Sequence, residues 1–425
     1  MKNFKDSGIE WLGKIPEHWK LIKCKNFFVL KSIPIGDLWN KTKLLSLTLN
    51  GVIERDINNP EGKFPSDFST YQIVKEGDLI FCLFDVAETP RTIGLSKLNG
   101  MITSAYTIFE IKNQEKRFLE YFFINLDNRK NLKFLYRGLR NTISKEDLLN
   151  LKIPLPPLKE QEQIANFLDE KCKKIANFIE KKEKLITLLK EQKQALINET
   201  ITKGLDKNVN FKDSGIEHLG EIPQHWRIVK LKYVAFTNIG LVYTPDDIIE
   251  NPDEGYPVLR ANNIQNGKID YQDLIYIKSK QIGKKQIISS GDLLMCVRNG
   301  SENLLGKTAK IQDGYFSFGA FTAIIKSQFN DYFYWIFQTN MLRKSIASFS
   351  ASNGIGQISQ DDIKNFIISF PPLKEQEQIA KFLDEKCEKI DLLIKKTEKQ
   401  IELIKEYKTT LINQAVCGRI IQDDY

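Results

Sequence analysis

The chain has 425 residues, 42% of them hydrophobic, and its 62 Lys and Arg against 54 Asp and Glu give a net charge of +8. That length accommodates two to four domains of about 100–200 residues each, and the ordinary apolar content excludes wholesale disorder. The mild positive excess leans toward polyanionic partners without requiring them.

The chain opens on "FKDSGIEWLGKIPEHWKLIKCK" from Phe4, without an apolar signal-peptide core. Next comes "VKEGDLIFCL" (74–83), a Gly-Asp turn followed by an apolar strand, and then "SAYTIFEI" (104–111), a second strand. "RFLEYFFINL" (117–126) reads as an aromatic helix, followed by a loop, "FLYRGLRNTIS", expected to lead into a strand at its "IS". After "PLPP" the character changes: Glu160 to Thr202 contains no Gly or Pro and many Lys and Glu, so a helix of about 40 residues, roughly 60 Å, is expected.

The order then repeats. "FKDSGIEHLGEIPQHWRIVKLK" begins at Phe211, an offset of 211 − 4 = 207. "ISSGDLLMCV" (288–297), "GAFTAIIK" (319–326), "YFYWIFQTNM" (332–341) and "QISQDDIKNFIISFPPL" (357–373) echo the landmarks of the first half. "PPLKEQEQIAKFLDEKCEKI" at Pro371 repeats Pro156–Ile175 with two changes, at an offset of 371 − 156 = 215. The reading is a pseudo-two-fold internal repeat with four segments: α+β domains over 1–155 and 208–370, and long helices over 156–207 and 371–425. The second half is 215 − 207 = 8 residues longer between its landmarks, so any symmetry is approximate there.

On the first long helix, Ile164, Leu168, Ile175, Phe178, Leu185, Leu189 and Leu196 fit a heptad frame that Lys171, Lys182 and Gln192 interrupt. Cys172, Ile179 and Ile186 form a flanking row. Ile379, Leu383, Ile390, Leu393, Ile404 and Leu411 repeat the frame on the second helix, and Cys387, Ile394 and Ile401 repeat the flank. Gly204 and Gly418 are the expected helix stops. So long an amphipathic helix needs a partner, and its own copy is the nearest. The wide stripe leaves room for a further protein on the flank.

Chemistry is scarce. "NGSENLLGKTAKI" (299–311) resembles a phosphate-binding loop, but Gly300 and Gly306 enclose one residue too many. A strand-to-strand turn rimmed by Arg298, Asn299 and Lys307 is expected instead. His18, His218 and His225 are too few for a metal site; His18 and His225, each before a Trp, are expected to hold the opening motif. The six cysteines form no CxxC pair and read as small apolar residues of a reduced, cytoplasmic protein. No uninterrupted apolar run of about 18 residues suggests a membrane span. No compact nucleotide-binding, hydrolase or metalloprotease motif is present, so no cofactor, no metal and no catalytic residue is assigned: the chain reads as a binding protein.

"SGIEWLGKIPEHW", the "GDL" strand and above all the doubled "PLPPLKEQEQIANFLDEK" resemble the specificity subunit of type I restriction–modification systems, across essentially the whole chain. The resemblance implies two target recognition domains, each reading half of a split site in double-stranded DNA, separated by two long helices forming an antiparallel coiled coil. It implies two copies of a methyltransferase subunit and ATP-dependent restriction subunits as partners. Methylation, ATP hydrolysis and cleavage then belong to those partners. Helix length would act as a ruler for the unread gap between half-sites. The alternative is a coiled-coil scaffold with two ligand-binding domains that binds no nucleic acid; a fused nuclease or NTPase is a third class.

Phosphates favour Lys and Arg; base edges favour Arg, Asn, Gln and small polar groups in loops. The foremost DNA-binding candidates are therefore Arg137, Gly138, Arg140 and Asn141, with Ser352, Asn353, Gly354 and Gln357 at the corresponding place in the second half. Further candidates are Arg91, Thr92 and Lys97, matched with Arg298, Asn299 and Lys307; then Arg260, Asn262 and Asn263; then Lys41 and Lys43. For helix–helix or subunit contact the candidates are Ile164, Leu168, Cys172, Ile175, Ile179, Ile186 and Leu189 on the first helix, and Ile379, Leu383, Cys387, Ile390, Ile394, Ile401 and Ile404 on the second.

Overall fold

The two Gly-Asp turns begin matching strands inside matching sheets. In the first half the antiparallel order is Phe28–Lys31, Thr107–Ile111, Asp78–Phe81, Ile93–Leu95; in the second it is Phe236–Ile239, Thr322–Lys326, Leu293–Cys296, Thr308–Lys310. Gly77 and Gly291 both take a φ of +84°, a conformation that side chains resist. The aspartate that follows closes the turn: Asp78 accepts from the Lys75 amide and pairs with Lys31, and Asp292 accepts from the Ser289 amide and pairs with Lys326. The structure is a computed structural model that describes residues 3–56, 67–299, 304–339, 341, 345 and 357–420.

One face of each sheet is covered by the aromatic helix, α1 (Lys116–Asn128) in the first half. Phe118, Phe122 and Phe123 are buried there with Leu79, Phe81 and Phe109. Each fully buried Phe contributes about 1.5–3 kcal/mol. The ladders correct one sequence match. Phe109 pairs with Leu79, whereas Ile325, not Ile324, pairs with Leu293. "SAYTIFEI" and "GAFTAIIK" therefore correspond with a one-residue shift. The reason is strand parity: Phe109 and Ile325 must both point to the helix-covered core, and a slip of one residue would turn them away.

A second sheet lies beyond each first one and differs between the halves. Among the described residues the first half has four strands, Gly51–Arg55, Leu44–Thr48, Gly100–Ile102 and Gln72–Val74. The second has five, Ile248–Ile249, Ile275–Lys278, Gly255–Leu259, Tyr315–Phe318 and Ile288–Ser289, and adds a separate hairpin, Ile264–Gln265 with Lys268–Ile269. Each sheet contains one parallel pair, Leu44–Thr48 with Gly100–Ile102 and Gly255–Leu259 with Tyr315–Phe318.

The expected "IS" strand is a correction. Ser144 and Ser359 instead cap the short helices α2 (Lys145–Asn150) and, later in the chain, Gln360–Asn365. Each serine hydroxyl accepts from the amide three residues on, Asp147 and Asp362, at 2.9 and 3.1 Å. The Ser-x-x-Asp spacing carried that signal.

The helices after the Pro-Pro pairs are α3 (Leu158–Lys203, 46 residues) and, at the end of the chain, Leu373–Val416 (44 residues). With α4 (Asn330–Phe337) and α5 (Gln360–Asn365) between them, the last is α6. The chain divides into two compact units, Met1–Glu183 with Glu398–Tyr425, and Lys184–Thr397. Each unit contains one α+β domain and part of both long helices. In the first unit Ile164, Leu168 and Ile175 share a core with Leu411, Ile412 and Ala415. In the second, Ile197 and Ile201 share a core with Ile379, Leu383 and Cys387. The start of one helix meets the end of the other in both units, so the pairing is antiparallel.

The heptad frame needs correcting. Phe178, Leu185 and Leu393 are 38%, 39% and 51% exposed. The covered line on α3 instead runs through Leu168, Cys172, Ile175, Ile179, Lys182, Ile186, Leu189 and Lys193. The supposed flank is therefore part of the seam. Lysines in the seam misled the apolar count: their stems are covered while the amines reach out, Lys193 to Asp391 at 2.7 Å and Lys182 over the Phe178 ring. On α6 the line is Leu383, Cys387, Ile390, Ile394, Thr397, Ile401, Ile404 and Lys408.

The opening motifs lock the helix ends. Trp19 and Trp226 are completely buried. His18 Nε2 lies 2.7 Å from Glu160, and His225 Nε2 lies 2.9 Å from Glu375, each glutamate in the first turn of a long helix. His218 stacks on Phe366 and bonds the Ile367 carbonyl. Gly204 and Gly418 end the helices at φ +72° and +70°. A Cβ on Gly418 would sit 2.4 Å from the Pro16 ring and 2.9 Å from Trp19; on Gly204 it would meet Glu375 at 2.9 Å and Trp226 at 3.1 Å.

Candidate nucleic-acid interface

In the first unit the strand beginning at Asp78 runs out into residues 83–86, and the loop 137–141 lies against it. The Leu83 carbonyl accepts from the Ile143 amide at 2.8 Å, and the Arg140 carbonyl accepts from the Asp85 amide at 2.8 Å. A bridge between Arg137 and Thr142 closes the loop, whose turn needs Gly138 at φ +66° and Asn141 at +43°. Arg137 and Arg140 side chains are 71% and 67% exposed. Both have acid partners: Arg137 pairs with Asp147 at 2.8 Å, and Arg140 Nε and Nη2 donate to the two oxygens of Asp85. Those bonds hold the Asp85 carboxyl below the usual carboxylate range. Asn141 donates to Glu88 at 2.9 Å. The Arg140 guanidinium also lies 5.3 Å above the Phe84 ring.

The second unit uses the same frame. The Val297 carbonyl accepts from the Ile358 amide at 2.8 Å, and Arg298 bridges to Gln357. Two candidates from separate stretches are thereby brought together. Arg298 is exposed, with its guanidinium 5.3 Å above the Phe321 ring. Asn299 lies half-buried beside it. Ser352, Asn353 and Gly354 lie outside the described residues. Leu293–Cys296 pairs with Thr308–Lys310, so the loop resembling a phosphate-binding turn does join strand to strand. A neighbouring cleft of about 370 Å³ is lined by Leu241, Val242, Tyr243, Arg260, Gly319 and Phe321.

Other candidates point elsewhere. Thr92 is buried, and its amide donates to Asp127 at 2.9 Å. Arg91 is only 16% exposed and turns inward toward Asp127. Asn263 is buried and donates to the Asp270 and Gln272 carbonyls. These three side chains are turned away from the surface, a correction to their reading as offered surface donors. The physical reason differs for each: the Thr92 backbone amide holds the buried Asp127 carboxylate, the Arg91 guanidinium lies 3.8 Å from that carboxylate, and the Asn263 amide satisfies two backbone carbonyls. Lys307 is half-buried and donates to the Ile264 carbonyl. Arg260 donates to Asp273, as does Asn262 more weakly at 3.3 Å. Lys43 pairs with Glu54; Lys41 and Lys97 are exposed.

Sequence reasoning missed the aromatic rings beneath the arginines. Phe84 follows the Asp78 strand and stacks on Tyr106 at 6.2 Å and 21°; Phe321, 54% exposed, directly precedes the Thr322 strand. An aromatic residue at the end of a strand, outside the buried alternation, was the available signal. It also missed the acid partners Asp85, Asp147 and Asp273.

Every helix residue named as a contact candidate is buried or half-buried. Burial pushes up the thiols of Cys82, Cys172, Cys296 and Cys387, which keeps them protonated and inert. Among the described residues no group of His, Cys, Asp and Glu is placed to hold a metal ion, and no helix is long and apolar enough to cross a membrane.

Known proteins resemble this chain in sequence and in fold. The chain is similar to the type I restriction enzyme EcoKI specificity subunit of Escherichia coli (strain K12), with 29% identity over 208 residues, 48% of this chain and 45% of that one; it thus spans about half the length of that relative. It is also similar to the type I restriction enzyme MjaVIII specificity subunit of Methanocaldococcus jannaschii, 28% identical over 96% of this chain and 94% of that one. In fold it resembles a chain from a structure of type I R-M complex assembly and conformational transition, at TM-score 0.73, 15% identity and 96% and 99% coverage. It resembles the HsdS subunit from Thermoanaerobacter tengcongensis at TM-score 0.57, 16% identity and 96% and 98% coverage. Residues 92–191 and 223–403, more than half the chain, match the type I restriction modification DNA specificity domain, and the chain belongs to that family.

Proposed function

We propose that this chain is the DNA-reading, non-catalytic subunit of a type I restriction–modification complex, with each unit reading one half of a split duplex site. The observation that carries the proposal is the pairing of a shared frame with unlike surface. Leu83–Ile143 and Val297–Ile358 make the same backbone bond, yet Phe84 stands where the other unit has Arg298, and Thr142 where it has Gln357. One frame with different donors is what two different half-sites require. Arg137, Arg140, Asn141, Arg298 and Gln357 are the foremost contacts in this reading, and Ser352, Asn353 and Gly354 extend it.

The long helices serve as the scaffold for two copies of a methyltransferase subunit. Exposed apolar residues recur at equivalent positions outside the seam: Phe178 with Leu393, and Leu188 with Leu403, in each case 215 residues apart (393 − 178; 403 − 188). Equal patches suit equal partners. Methyl transfer from S-adenosylmethionine, ATP hydrolysis and cleavage reside in the methyltransferase and restriction subunits, in the cytoplasm. The test is to express the chain with its methyltransferase subunit in a methylation-free host and map the modified bases. A two-part motif is expected. A complex that methylates without sequence preference, or a chain that leaves duplex binding unchanged when added to the methyltransferase, sinks the proposal and favours a scaffold that binds no nucleic acid.

A further inference from the structure

Positions 84 and 298 are the same place in the two units. Each lies six residues beyond the turn aspartate, Asp78 or Asp292, and directly after the residue whose carbonyl holds the neighbouring loop. At each, a planar group lies against the aromatic residue that precedes the adjacent strand. In the first unit the layers run Tyr106, Phe84, Arg140: the rings stack at 6.2 Å and 21°, and the guanidinium lies 5.3 Å above Phe84. In the second they run Phe321 then Arg298, at 5.3 Å. One stack places the arginine on the neighbouring loop and the other places it on the strand extension, yet both finish on an exposed guanidinium.

A ring beneath the guanidinium limits the directions such an arginine takes. A guanidinium that lies flat on its ring when it meets a base keeps its N–H donors in the plane, pointing sideways. That geometry matches two acceptors on one base edge, and the guanine O6 and N7 pair in the major groove supplies them. A phosphate contact needs charge but no ring beneath it. We propose that Arg140 and Arg298 each read one guanine, one in each half-site, and that Phe84 and Phe321 are positioning residues for them; this rests on the DNA-reading function above.

The stacks differ in one respect that makes the proposal sharper. Arg140 donates Nε and Nη2 to Asp85, which leaves Nη1 uncommitted to that carboxylate. Among the described residues no carboxylate pairs with Arg298, so no donor of its fork is committed to an acid. The guanine read by Arg298 is therefore the more strictly required of the two.

The experiment uses the full chain co-expressed with its methyltransferase subunit, followed by methylation mapping and by binding of the purified complex to duplexes carrying the mapped motif or single-base changes in it. The wild-type chain must yield a two-part motif; its failure to do so overturns the DNA-reading function itself, not this refinement. Given that motif, Arg298→Ala and Arg298→Lys should each lose about 10- to 100-fold discrimination at one G·C position of one half. Arg140→Ala should relax one position of the other half by less. Phe321→Leu should relax the Arg298 position with the charge intact. An unchanged motif in Arg298→Ala and Arg140→Ala overturns the proposal. So does uniform weakening on all duplexes that Arg298→Lys restores, since that marks a phosphate contact. Arg298→Lys and Phe321→Leu alter exposed side chains, and melting curves matching the wild type show that their effects are not unfolding.

Discussion

The two units share a sheet and differ at its rim. The same four-strand order, Gly-Asp turn, covering helix and capped short helix recur, while among the described residues the second layer has four strands in one unit and five in the other. The shared parts are buried or caged: Leu79, Phe109 and Phe123 in one unit, Leu293, Ile325 and Phe333 in the other. The divergent parts reach the surface: exposed Arg140 over the half-buried Phe84, and Arg298 over the exposed Phe321. Packing density fixes what is hidden and leaves the rim free to vary. A molecule that must present two different surfaces on one scaffold can change them without disturbing its core.

The largest expected effects test whether the scaffold halves are equal. Trp19→Ala and Trp226→Ala each remove a fully buried indole and should each cost about 3–5 kcal/mol. Hydrogen exchange should show each loss confined to its own unit; loss of protection throughout both would break the comparison. Gly418→Ala and Gly204→Ala should separate the units. The first puts a methyl into the Pro16 and Trp19 rings and should cost about 2–4 kcal/mol, backbone strain included. The second meets a movable Glu375 carboxylate first and should cost about 1 kcal/mol. Denaturant midpoints in the reverse order would contradict that account.

The exposed helix residues give the next test. Leu188→Glu and Leu403→Glu should leave stability within about 0.5 kcal/mol and weaken methyltransferase binding about tenfold each. Equal losses in titration calorimetry support equivalent docking sites; loss from one alone does not. The smallest effect is expected from Asp85→Asn, which removes the charge from an exposed ion pair and keeps a residue that tolerates the φ of +48° there, at a cost under about 0.5 kcal/mol. It should strengthen binding to unrelated duplexes and reduce discrimination at the Arg140 position a few-fold, because the freed arginine keeps its charge and loses its aim. No change in either quantity would remove Asp85 from the account.

Much of this was legible in the residues. The repeat, the Gly-Asp strands, the aromatic helices, the helix stops at Gly204 and Gly418, and the structural place of His18 and His225 follow from pattern and turn chemistry. Three features were not. Lys182 and Lys193 lie along the seam by their stems, so counting apolar letters selected Phe178 and Leu185 instead. A one-residue strand shift is invisible where Thr107 and Thr322 align by letter but not by pairing. Composition also cannot say whether a loop arginine points out, as Arg140 does, or in, as Arg91 does toward Asp127.

The central claim is that each unit reads its own half-site through its own rim. The most direct measurement is the methylation motif of the full chain carrying Arg140→Ala and Arg298→Ala together, set beside the two single variants. The account predicts one relaxed position in each half of the motif, each matching its single variant, with the unread gap unchanged. Both positions falling in one half, or a motif identical to the wild type, would contradict it.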